Sequence, residues 1–291
     1  GFLNLLPLLW IYKIVMKHKS YPTNRLDLLR SKAGPVCALL AWLSMGATMA
    51  SDYPPRVSYI DGTAAYEPAG DVDWSEVAVN LPILSGDRTV SHADSRFEIE
   101  LGDGNFLRFG PQTDVTFGQM TRKNVDLQLH AGDLIVRSRE SIDYAITTPN
   151  ARVFIRNKGL YRISVEPSGQ TRVSVRKGWL EVANDSGTQR VEDGEEVFID
   201  DPRSALTRVG FVRGLDHLDL WSDRRDASYV SSRSVAYVGG VYYPGVYDLD
   251  RYGDWLAVTD FGRVWFPRVV VGWVPYRVGR WGFYGSWGWT W

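Results

Sequence analysis

The chain has 291 residues, enough for one large domain or two smaller ones that each bury a core. Its 33 basic and 34 acidic side chains nearly cancel, so bulk charge argues against a nucleic-acid partner. A single cysteine, Cys37, excludes a disulfide framework within the chain.

The charge is unevenly spread. Residues 1–50 carry six basic side chains (Lys13, Lys17, Lys19, Arg25, Arg30 and Lys32) against Asp27 alone, which leaves 27 basic and 33 acidic residues in 51–291. The main body is therefore mildly acidic. Residues 1–15 precede a serviceable start at Met16 and are expected to be upstream read-through or the remnant of a fragment. Residues 16–50 read as a signal peptide: a basic stretch, KHKSYPTNRLDLLRSK, then the apolar run VCALLAWLSMGATMA, with cleavage expected near Ala50. That run is short for a permanent membrane span. The expected location is periplasmic or cell-surface, and the cleaved chain, without cysteine, must be held by packing.

From residue 51 to 205 the pattern is short β-type runs broken by Gly, Asp and Pro. "RVSYIDGTAAYEP" predicts two strands around a hairpin signal at Asp61-Gly62. "FEIELGDGNFLRFG" alternates apolar residues at Phe97, Ile99 and Leu101 before a turn at Gly102-Asp103-Gly104. "VDLQLHAGDLIV" repeats the pattern, with a turn expected at Ala131-Gly132-Asp133. Three more strands follow in 151–182, with turns at Asn157 to Gly159, Pro167 to Gly169 and Lys177-Gly178. This predicts an all-β domain, β-solenoid-like, with a β-sandwich as the alternative the same strand rhythm suits. Residues 206–235 break the rhythm. Leu215, Leu218 and Trp221 recur every three residues, predicting a linker with one short amphipathic helix.

Residues 236–291 read as a Trp/Tyr/Gly-rich repeat module. Gly253, Trp255, Phe261, Gly262 and Trp265 recur as Gly279, Trp281, Trp287, Gly288 and Trp291, each 26 residues on. The chain is expected to stop within the second unit. The plain use of these tryptophans is to fill a small β core. The sharper use is an aromatic binding face for glycan or peptide, with Trp255, Trp265, Trp273 and Trp281 as its candidates.

Several ordered segments carry a family resemblance: "LPILSGDRTVSHADSRFEIELGDGNFLRFGPQTDVTF" (81–117), "LHAGDLIVR" (129–137), "TTPNARVFIRNKGLYRISV" (147–165), "TRVSVRKGWLEV" (171–182) and "VEDGEEVFI" (191–199). In this order they resemble the FecR-like domain of bacterial envelope proteins. The resemblance implies a β-rich periplasmic domain. The family's best-known members sense an outer-membrane receptor and signal to a cytoplasmic sigma factor. Those members place a cytoplasmic domain and a membrane span before the periplasmic part, whereas here a signal-like segment precedes it. Leu160 also follows Gly159 where the family usually has Thr. The arrangement resembles exported proteins that join such a domain to an aromatic tail of unknown function.

Candidate chemistry is sparse. His92, His130 and His217 lie far apart and form no zinc-type pair. Ser91, His92 and Asp94 are sequence neighbours, and triads assemble from distant segments. The acid pairs Asp71/Asp73, Asp200/Asp201 and Asp248/Asp250, and the run Glu192 to Glu196, lack the spacing of a calcium loop and read as solvated turns. Arginines interleave with the tail aromatics, a pairing more ordinary in a packed fold than on nucleic acid. The expectation is an exported, non-enzymatic protein with no catalytic, cofactor or metal site. It would act as a protein-interaction, signalling or scaffold module with an envelope protein partner. The alternatives are peptidoglycan or polysaccharide binding through the tail, and a periplasmic regulator in a sigma-factor system.

Overall fold

A computed structural model of the chain describes residues 54–140, 142–210, 212–238, 244–269, 277, 281–284 and 288–290. The expected signal peptide and Trp273 lie outside the described residues. Residues 54–247 with the hairpin at 282–290, and residues 248–269, fall into separate compact units.

Sixteen strands, β1 to β16, build the sheets of residues 54–247. One sheet orders β1 (Arg56–Asp61), β5 (Arg96–Gly102), β6 (Asn105–Phe109), β8 (Asn124–Ser138), β11 (Gly159–Val165), β12 (Thr171–Lys177), β15 (Glu196–Ile199) and β16 (Thr207–Val209). The other orders β3 (Ser75–Glu76), β2 (Ala64–Glu67), β4 (Arg88–Ser91), β7 (Asp114–Met120), the same β8, β9 (Asp143–Thr147), β10 (Arg152–Ile155), β13 (Trp179–Asn184) and β14 (Gly187–Glu192). Among the described residues the strands pair antiparallel, apart from β8 with β9. Such antiparallel pairing in two sheets is that of a sandwich, the second of the two architectures the strand rhythm suits.

Strand alternation sets the core. Phe97, Ile99, Leu107, Val136, Ile163 and Val173 of the first sheet join Phe117, Leu127, Tyr144, Ile146, Val153 and Val182 of the second in one buried cluster. Phe109 links the two, stacked on Phe97 at 4.6 Å and edge-on to Phe117 at 5.9 Å.

Two expected turns are sheet changes instead. β1 pairs with β5 and β2 with β4, so the chain at Asp61-Gly62 passes between sheets instead of forming a hairpin. The Ala131-Gly132-Asp133 turn is the middle of the fifteen-residue strand β8. Its first half pairs with β7 and β9, and its second half with β6 and β11. Gly132 makes the crossing possible: its φ is +84°, and a Cβ there would stand 2.4 Å from Thr113 Oγ1. Apolar alternation runs through such a bend unbroken, so the pattern cannot show it.

The region 206–235, expected as a linker with one short helix, holds strand β16, α1 (His217–Val230) and the start of α2 (Arg233–Val238). Asp216 caps α1 in a reciprocal capping box with Asp219. Leu218 and Trp221 are buried, while Leu215 precedes the helix and is exposed. No helix among the described residues is long and apolar enough to cross a membrane.

In the second unit α3 (Leu249–Tyr252) leads into a hairpin of β17 (Gly253–Val258) and β18 (Gly262–Pro267). Trp255 lies opposite Trp265 in this hairpin. Trp265 Nε1 donates to Leu249 O at 2.9 Å. A separate hairpin joins β19 (Gly282–Tyr284) to β20 (Gly288–Thr290). The register pairs Val258 with Gly262 and Leu256 with Val264 in one hairpin, and Tyr284 with Gly288 and Gly282 with Thr290 in the other, an offset of 26 residues at each position.

Candidate functional site

The outward face of the first sheet is charged where its inward face is apolar. Alternation in "FEIELG", "FLRF", "LIVRS", "LYRISV" and "TRVSVRK" turns every second side chain away from the core. Register then sets these residues side by side. One row runs Glu98, Arg108, Ile135, Arg162, Ser174, Glu196 across six strands. The next runs Glu100, Phe106, Arg137, Leu160.

Helix α1 covers this face. At the centre Arg108 is fully buried, its Nε donating to Glu98 Oε2 at 2.8 Å. Its two terminal nitrogens reach the helix, donating to Ser222 Oγ at 2.7 Å and Asp226 Oδ1 at 2.8 Å. Arg137 Nε also lies 2.9 Å from Asp226. Glu98 is surrounded by further donors: Ser58 Oγ at 2.7 Å, Arg225 Nη2 at 2.6 Å and Tyr247 Oη at 2.9 Å.

A second cluster holds the helix start. Arg162 donates to Asp133 at 2.8 Å on its own sheet, and to Asp216 at 2.6 Å and Asp219 at 2.9 Å on the helix. Arg176 adds a bond to Asp219 at 2.9 Å. Between the clusters Leu218 and Trp221 pack on Ile135, Tyr59 and Leu160. Beyond α1 the returning chain closes one edge, where Gly245 N–H donates to Glu100 at 3.1 Å.

The electrostatics follow from this geometry. Burial alone would push the Glu98 carboxyl up, but Arg108 and Arg225 outweigh it and hold the group at about 2. Asp216 behaves alike: burial raises it, while the Asp219 amide and Arg162 bring it to about 2. Asp219 moves the other way, raised by burial and by the Asp216 charge beyond what Arg162 and Arg176 offset. Burial lowers Arg139, with Asp226 opposing. Such buried ion pairs fix position and orientation more than they add net stability.

The residues expected to matter fall elsewhere. Trp255 and Trp265 are half-buried cross-strand neighbours, and Trp281 is exposed just before β19. Ser91 of the SHADS segment is buried, its hydroxyl donating to Gly110 O at 2.7 Å. No group of three His, Cys, Asp or Glu that could hold a metal ion comes together among the described residues. Sequence reasoning missed the Arg/Glu face altogether. Its signal was the alternation of Glu and Arg at outward positions on successive strands, which needs the register to become a surface.

Residues 87–181 match the FecR protein family. The FecR match runs from β4 into β13 and carries Glu98, Arg108, Arg162 and Ser174 of the central row, but not α1. Residues 246–291 match a family of unknown function, DUF6600. Two crystal structures of a candidate anti-sigma factor from Parabacteroides distasonis align at a TM-score of 0.38, with 15% and 14% identity. Each alignment covers 43% of this chain and 59% of that one, under two thirds of its length. No curated protein matches the chain.

Proposed function

We propose that this chain is an exported, non-enzymatic envelope protein whose FecR-type β domain is a protein-interaction module in a signalling pathway. The match of residues 87–181 to the FecR family is the observation that carries this reading.

Two measurements on the native host test this. Fractionation with N-terminal sequencing should find the tagged protein outside the cytoplasm, beginning near Ser51. Deleting the gene should change transcription of a discrete gene set, and complementation should restore it. A cytoplasmic protein, or a deletion without transcriptional effect, would overturn the proposal.

The Trp255–Trp265 pair favours a second reading for the aromatic module, carbohydrate binding, because sugar C–H groups sit flat on indole rings. Sedimentation of the protein with purified peptidoglycan tests it. Binding lost in Trp255→Ala would support it, and no binding by the unaltered protein would remove it.

A further inference from the structure

The face under α1 is unbalanced without its cover. Arg56, Arg108, Arg137, Arg139, Arg162, Arg172 and Arg176 stand on it against Glu98, Glu100, Asp133 and Glu196, and α1 with its cap brings Asp216, Asp219 and Asp226. The helix spends its own Arg225 on Glu98. Asp216, Asp219, Ser222, Arg225, Asp226 and Tyr229 recur at three- and four-residue steps, one stripe of the helix. The stripe is mainly polar, and the apolar share of the contact is Leu218, Trp221 and the ring of Tyr229 against Phe106. The sheet does not need this cover for its backbone, because its strands complete their ladders with one another. Removing α1 leaves these ladders intact and costs its ion pairs and the small apolar cluster of Ile135, Leu218 and Trp221.

We infer that the outer face of this sheet is a docking surface for an acidic helix of a partner protein, and that α1 is its resident occupant, displaced when the partner binds. The inference rests on the interaction-module reading and names the surface and the kind of partner. Charge complementarity selects that partner. It must present carboxylates three and ten positions apart, as Asp216, Asp219 and Asp226 do, with a base beside the last for Glu98. The face belongs to the FecR match and the resident helix does not. A common docking surface filled here by a following segment accounts for that division.

The test uses the full chain and a labelled peptide of residues 215–231, the resident helix itself. In the double variant Asp219→Arg/Asp226→Arg the face is unchanged but its own helix is repelled. The peptide should bind this variant about tenfold more tightly than it binds the unaltered chain, since occupancy by α1 taxes the latter. A peptide with Asp216, Asp219 and Asp226 all changed to Asn should not bind. Equal binding to both chains, no binding to a variant that keeps its β circular dichroism, or binding by the Asn peptide would each overturn the inference. If the variant loses its sheet, hydrogen exchange on the unaltered chain decides. Amides of α1 opening before those of β6, β8 and β11 support a separable helix, and exchange in one cooperative unit overturns it. Either result is independent of the transcription experiment, so the two readings fail separately.

Discussion

Arg108 and Glu98 face each other on adjacent strands with Nε 2.8 Å from Oε2, and neither side chain is more than 1% exposed. From this pair the contacts spread to α1 through Ser222, Asp226 and Arg225, and to the returning chain through Tyr247. The pair therefore joins the β domain to the helix that follows it.

Arg108→Met leaves Glu98 and Asp226 buried without a main partner and should cost about 3–5 kcal/mol in urea denaturation. Arg88→Met breaks an ion pair to Asp114 of 2.7 Å whose arginine is 40% exposed. It should cost about 0–1 kcal/mol, because solvent screens such a pair. Equal costs would contradict the burial assigned to Arg108.

Acid should loosen the helix contact. Glu98 lies among Arg108, Arg225, Tyr247 and Ser58, and its folded value of about 2 is below its ordinary one. A group depressed in the folded state stabilises fully above its unfolded pKa, and that stability is lost as pH falls toward the folded one. The loss from about pH 4.5 to 2 should be on the order of 3 kcal/mol for Glu98. Asp216 acts in the same direction, and the raised Asp219 partly opposes it. Urea midpoints from pH 2 to 7 check this, and Glu98→Gln should flatten the curve.

Gly132→Ala should destabilise the sandwich. The residue would sit at φ +84° with its Cβ 2.5 Å from Thr113 Cα, where backbone must move to admit it. Strain at such a position costs about 1–3 kcal/mol before the clash is counted. The corresponding change at Gly169, where a Cβ meets nothing within 4 Å, should cost only the φ penalty. Thermal unfolding of the two variants separates them.

Trp221→Ala should release α1 without unfolding the sheets. The indole packs on Tyr59 at 5.7 Å between centroids and belongs to the small cluster with Ile135 and Leu218, apart from the main core. The expected result is rapid proteolytic cleavage within 217–230 while β circular dichroism persists. Asp216→Ala should act in the same sense by about 1 kcal/mol through the lost cap.

The all-β class, the strand at 96–102 and the hairpin turns at 102–104 and 167–169 were legible because alternation and glycine turns are local signals. The two sheet changes were not. At Gly62 and Gly132 the apolar pattern continues while the chain changes partners, and pairing is a long-range property. The helix was visible through Leu218 and Trp221, but its role was not. An amphipathic reading looks for an apolar stripe, and here the buried stripe holds Asp219, Ser222 and Asp226, whose partners Arg162, Arg176 and Arg108 are 43 to 118 residues away in sequence. Attention to tryptophan content led to Trp255, Trp265, Trp273 and Trp281. Charges that look solvated one at a time become a buried surface only when the register aligns them.

The central claim is that α1 docks on the charged face and is not a free linker. A double-mutant cycle between Arg108 on β6 and Asp226 on α1 tests it most directly, using Arg108→Met, Asp226→Asn and the pair in urea denaturation. A docked helix predicts a coupling of about 1–3 kcal/mol, beyond the separate cost of stranding Glu98. Costs that add to within about 0.5 kcal/mol would mean the two residues do not meet, and would contradict the account.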